Sequence, residues 1–202
     1  MHPPGVNNAP GLLTQTMWIG SLVTGKVLFV ASQKAVAAGS RRWTLSALQA
    51  IVGLATVVIA SGFTVWMALS WYGMELANTR ETWFFLWLAG SAFFLLQSSL
   101  LNWIGFLAKP LLVLLMFFSM PMLSMAHEFL SQTTRDWIYS WTPMRFAVEG
   151  LREVMYFGGL DTVGSDAYVL WGVAVGFLVL LLASGFKAGR TTDAPPTSVT
   201  GD

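Results

Sequence analysis

The sequence predicts an all-α, polytopic membrane protein, and three observations carry that prediction. Of its 202 residues 55% are hydrophobic and only 10% charged, where a soluble domain has about a quarter of its residues charged. The charges gather between long apolar runs, as they do when lipid is the solvent for most side chains. Those runs also have the length, roughly 20 residues, that a helix needs to cross the hydrocarbon core. A net charge of +1 supplies no broad basic face for nucleic acid. The chain has no cysteine, which removes disulfide and thiolate–metal chemistry. Met1 to Pro10 places no basic residue ahead of an apolar run and makes a poor signal peptide.

The first expected span covers residues 12–32 and contains one charge, Lys26. A polar connector with Lys34, Arg41 and Arg42 comes next. The second span, 45–71, carries no charge, and Trp66 and Trp71 suit an interfacial end. Residues 72–82 read as a short polar loop with Glu75, Arg80 and Glu81. The third span, 83–103, collects Gln97, Ser98, Ser99 and Asn102 in its second half. Lys109-Pro110 marks a boundary, because proline suits the first turn of a new helix. The fourth span covers 111–126, with Pro121 as a kink, and starts nearer Ile104 if the chain bends at Pro110. The fifth, 168–186, is closed by Lys187 and Arg190.

The expected organisation is thus an extracellular segment 1–11, a transmembrane domain 12–190 of about five spans, and a disordered cytoplasmic tail 191–202. Orientation is set by the basic residues of short loops. Lys34, Arg41, Arg42, Lys109, Lys187 and Arg190 fall on one side, against Arg80, Arg135, Arg145 and Arg152 on the other. This puts the N-terminus outside and the C-terminus in the cytoplasm of a plasma-membrane protein.

The stretch between the fourth and fifth spans is too long for a bare connector. Thr142 is a good N-cap, Pro143 suits the first helical position, and Gly158 is a good stop. Within that frame Met144, Ala147, Val148, Leu151, Val154 and Met155 share one face. Arg145, Glu149, Arg152 and Glu153 share the other, with Arg145 and Glu149 four residues apart. The spacing predicts an amphipathic helix lying at, or dipping into, the outer interface, with Trp137, Tyr139 and Trp141 as anchors.

These residues also carry a resemblance. Trp-Ile-Gly in the first span, the basic loop, and Thr142-Pro-Met-x-x-Ala-Val-Glu-Gly-Leu-Arg152 with Tyr156-Phe-Gly-Gly159 after it resemble the C-terminal membrane half of YhgE/Pip-type proteins. Those belong with the permeases of the ABC-2 superfamily, and the resemblance covers roughly residues 12–190. It implies an ABC-2 permease-like fold working as a homodimer, or as a heterodimer with another permease, in the lipid bilayer. A separate ATP-binding subunit would supply the energy. Lys34, Arg41 and Arg42 would form the cytoplasmic coupling loop. Pro143, Arg145, Glu149, Gly150 and Arg152 would form an external gate. Family permeases commonly have six spans, with a large extracellular domain after the first in this branch. The expectation is therefore that this chain corresponds to the part beyond that domain.

Other motifs have bland readings. Gly20-Ser-Leu-Val-Thr-Gly-Lys26-Val27 nearly spells a phosphate-binding loop, but valine stands where the magnesium-binding hydroxyl belongs and no strand precedes it. Lys26 is a candidate intramembrane charge that either serves a transport pathway or snorkels to headgroups. His127-Glu128 has no second histidine at helical spacing, so no metal site is expected. Gln97, Ser98, Ser99 and Asn102 either line a polar pathway or bond across helix contacts, and Gly172-x-x-x-Gly176 permits close helix approach. No catalytic set and no cofactor site stand out. The functional expectation is a permease subunit exporting a hydrophobic or envelope-related substrate. The alternative is a non-transporting scaffold: a secretion accessory or a phage-receptor-like surface protein.

Overall fold

The structure is a computed structural model that describes residues 9–71, 73–74, 76–115, 143–156 and 160–186. All regular elements among them are helical. Helix α1, Ala9–Ala37, starts three residues before the expected span, with Ala9, Pro10 and Gly11 already buried. The last part of the presumed outer segment 1–11 is therefore the first turn of a helix, where Pro10 is tolerated because its missing N–H has no partner to lose. At its other end Ser40 N–H donates to Ala35 O and Gly39 N–H to Val36 O, both at 3.0 Å. Gly39 has φ +92°. This Schellman arrangement satisfies the last carbonyls of α1 and reverses the chain.

Helix α2 begins at once, Arg42–Ser70. Helix α3, Thr79–Ile104, takes in the end of what the composition marks as a polar loop. The reason is a cap. Asn78 Oδ1 accepts from the backbone N–H of Arg80 (3.2 Å) and Glu81 (3.4 Å), while its Nδ2 donates to Glu81 Oε1 at 2.7 Å. This is a side-chain N-cap whose amide is steadied by Glu81, and it satisfies backbone donors that would otherwise be orphaned. The helix ends at Gly105, whose φ is +65°. A 3₁₀ turn, Gly105–Leu107, leads into a further helical stretch over 108–115. The break thus lies at Gly105, and Pro110 sits in the first turn of the 108–115 stretch. The remainder of the expected fourth span, including Pro121, lies outside the described residues.

Helix α4 is Pro143–Tyr156, and α5 is Leu160–Ser184, bent at Gly164 (φ 39°, ψ −106°). Three helical segments are long and apolar enough to cross a membrane: Arg42–Ser70, Thr79–Ile104 and Asp166–Ser184. They mark a membrane protein. Helix α1 is as long as α2 but is not among the three; Lys26, Gln15 and three threonines dilute its apolar character.

Helix α3 is the axis of the bundle, in contact with α1, α2, α4 and α5. The order of the contacts along each pair gives the directions. Ser21 bonds to Gly90, and Gly25 meets Ser98, so α1 runs parallel to α3. Gly53 meets Phe94 whereas Gly62 meets Trp83, so α2 runs antiparallel. Trp171 packs on Trp87, and Ser184 bonds to Asn102, so α5 is parallel again. Close approach depends on missing side chains. A Cβ on Gly53 would overlap the Phe94 ring, and one on Gly150 would overlap Phe85, both rings being fully buried.

Candidate functional site

Two ends and one seam of this bundle carry the residues with chemical potential. At one end α4 packs against α1, α3 and α5. The six apolar residues whose spacing predicts its inner face, Met144, Ala147, Val148, Leu151, Val154 and Met155, are all buried. A hydrogen bond from Ala77 N–H to Met155 O (3.1 Å) ties the α2–α3 connector to it. Through this apolar face α4 is a packed member of the bundle, while Arg152 on its other face is exposed. The cause is visible at Gly150, where the helix has no side chain and the Phe85 ring occupies the space. Thr142, Gly158 and the aromatic residues 137, 139 and 141 lie outside the described residues.

The expected gate set is divided by this packing. Pro143 and Gly150 are buried, Arg145 and Glu149 half-buried, and Arg152 exposed. Arg145 Nε donates to Glu149 Oε2 at 3.0 Å, and the guanidinium lies 5.3 Å from the centre of the Phe146 ring. An ion pair this exposed contributes a few tenths of a kcal/mol, roughly. Burial raises the Tyr156 phenol above its ordinary pKa, with the Arg152 guanidinium pulling the other way.

At the opposite end Lys34, Arg41 and Arg42 are all exposed. Lys34 sits in the last turn of α1, where a cation complements the carbonyl end of the helix dipole. Arg41 and Arg42 do the reverse. They occupy the N-cap and first position of α2, and Arg41 supplies no side-chain cap. Cations are disfavoured there, so local helix stability does not account for them. Lys26 is exposed on α1 behind the buried Gly25, roughly 16 Å along the axis from Ala37. The surrounding Gly20-to-Val27 run is helical throughout and cannot curl round a phosphate.

The seam is the polar half of α3. Gln97 Nε2 donates to Trp18 O (3.2 Å), and Ser98 lies against Gly25. Asn102 Nδ2 donates to both Gln49 Oε1 (3.2 Å) and Ser184 Oγ (3.1 Å), joining α2, α3 and α5 at one amide. Bonds of this kind inside membrane bundles contribute about 0.6 kcal/mol each on average. Sequence reasoning picks out Asn102 but misses Gln49 and Ser184, which stand 53 and 82 residues away from it. Gly172 and Gly176 meet nothing within 4 Å among the described residues, so neither contributes a helix contact there. His127 and Glu128 lie outside the described residues, and among those described no three His, Asp or Glu side chains gather as metal ligands. The chain matches no protein-family model, no curated protein and no solved structure.

Proposed function

We propose that the chain is a membrane permease subunit of an ABC-2-type, YhgE/Pip-like export system. On this reading about five spans cross the plasma membrane, with the N-terminus outside and the C-terminus in the cytoplasm. The subunit pairs with a second copy or another permease and moves a hydrophobic or envelope-related substrate outward. It has no catalytic activity of its own, and a separate ATP-binding subunit drives it. The observation that supports this most is the placement of two exposed arginines, Arg41 and Arg42, at a helix end that electrostatics disfavours. A pair held against its own helix dipole is suited to a partner, and the resemblance makes that partner the ATPase. Helix α4, seated at the other end of the same long helices, is suited to gate the exit.

The test is a mild-detergent pull-down of the tagged chain from native membranes, with mass spectrometry of the proteins that copurify. The expected result is a nucleotide-binding ATPase in stoichiometric amount, lost when Arg41 and Arg42 are both replaced by glutamate. Recovery of the chain with envelope proteins only, indifferent to ATP, would remove the permease reading. A non-transporting scaffold would then be preferred, a reading that the continuous burial of α3 from Leu88 to Ser99 favours.

A further inference from the structure

At the basic end, α1, α2, α3 and α5 enclose a small polar pocket of about 40 Å³, lined by Ser32, Arg42, Ser46, Gln49, Asn102 and Ser184 among others. Arg42, Ser46 and Gln49 stand at positions i, i+4 and i+7 of α2 and so share one face. The hydrogen bonding of this pocket is lopsided. Asn102 has used its Nδ2 on Gln49 and Ser184, Ser184 Oγ donates to Leu181 O (2.6 Å), and Ser32 Oγ donates to Phe29 O (2.8 Å). Gln49 has given its Oε1 to Asn102, yet its Nε2 is buried with no partner, in a residue only 3% exposed. With Gln49 Oε1 held by Asn102, it is the Gln49 NH₂ group that is left to face a ligand.

Three donors remain in the lining, the Gln49 amide, the Ser46 hydroxyl and the Arg42 guanidinium, beside the neutral amides of Gln33 and Asn102. To these the first turn of α2 adds backbone N–H groups that Arg41 does not cap. Among the described residues the lining contains no carboxylate. Several terminal carbonyls near this region are already bonded: Lys34, Ala35 and Val36 O in the α1–α2 turn, and Leu182 and Ala183 O of α5, which accept from Gly185 and Phe186.

We infer that this pocket binds a phosphate oxyanion, with Arg42 supplying charge at its rim and Gln49 and Ser46 hydrogen bonds at its floor. A phosphate presents acceptors on every side, and a guanidinium holds it through charge-assisted bonds. The group has two chemical sources, an anionic lipid headgroup and free inorganic phosphate. The pocket shares Arg42 with the proposed coupling surface, but it is tested on this chain alone, so its failure and that of the permease reading are distinguishable.

The test uses the full chain purified in a non-ionic detergent, with thermal unfolding followed by circular dichroism at constant ionic strength. Three additions are compared: inorganic phosphate, a short-chain phosphatidic acid, and a short-chain diacylglycerol with no phosphate. The wild type is expected to gain thermal stability saturably with phosphatidic acid and not with diacylglycerol. Stabilisation by inorganic phosphate as well would assign the free ion as a sufficient ligand; stabilisation by the lipid alone would assign the headgroup. Arg42→Gln, at an exposed position, should weaken the response about tenfold or more. Gln49→Glu keeps the acceptor for Asn102 but faces the anion with a carboxylate, and should abolish the response at unchanged helicity. Ser46→Ala serves as the milder floor variant should Gln49→Glu fail to fold. A wild type indifferent to both phosphate sources, or an Arg42→Gln protein responding as the wild type does, would overturn the assignment.

Discussion

Helices α2 and α3 look alike in a hydropathy reading and differ completely in place. Both are long and apolar enough to cross a membrane, yet the apolar window of α3 is 83% buried inside the bundle and that of α2 only 28%. The more buried helix is also the less apolar of the two. In lipid this ordering makes sense. Surface helices are dissolved by hydrocarbon and need only be greasy. A central helix must instead offer packing and hydrogen bonds that lipid cannot match. Gln97 and Asn102, which bond to other helices, are the mark of the second kind.

Glycines offer the hardest test of this difference. Gly53→Leu places a side chain where the buried Phe94 ring already sits, and should lose about 3 kcal/mol or fail to fold. Gly172→Leu, on the open face of α5, should change stability by less than about 0.5 kcal/mol. Both can be read from unfolding in mixed detergent micelles. If Gly172→Leu proved as damaging, α5 would be a second buried helix and the contrast would collapse.

A smaller effect sharpens the same contrast. Asn102→Leu removes two bonds that tie α3 to α2 and α5, and should lower stability by about 1–2 kcal/mol. Thr56→Val on α2 removes only a bond from a hydroxyl to Val52 O of its own helix (2.8 Å), and should be near neutral in the same assay. The smallest effect belongs to the α4 end. Arg145→Met breaks an i,i+4 pair, and should shift unfolding by only a few tenths of a kcal/mol, roughly. A larger loss would mean that the pair is shielded from solvent.

Particular residues explain which parts of this architecture are legible in the sequence. Helix α4 is legible because its six inward positions repeat at helical spacing, and each of them is buried. The start of α3 is misplaced when charge density is weighed above capping chemistry. Asn78 with Glu81 three residues on is the local signal that moves the boundary. The centrality of α3 cannot be read at all from hydropathy, since the notches that seat it, Gly53 and Gly150, lie on other helices. The pocket at the basic end is of the same kind. Ser32, Gln49, Asn102 and Ser184 share no local pattern, and only the fold brings them together.

The meeting of three helices at Asn102 also imposes an order in time. A ribosome completes chains from the N-terminus, so Gln49 emerges 53 residues ahead of Asn102, and Asn102 82 residues ahead of Ser184. Through the first interval the Gln49 carbonyl lacks the partner that Asn102 later supplies. Through the second, α3 can recruit α1 and α2 but lacks its last clasp. The three-way junction therefore closes only when the final helix arrives, which makes Ser184 the latch of assembly.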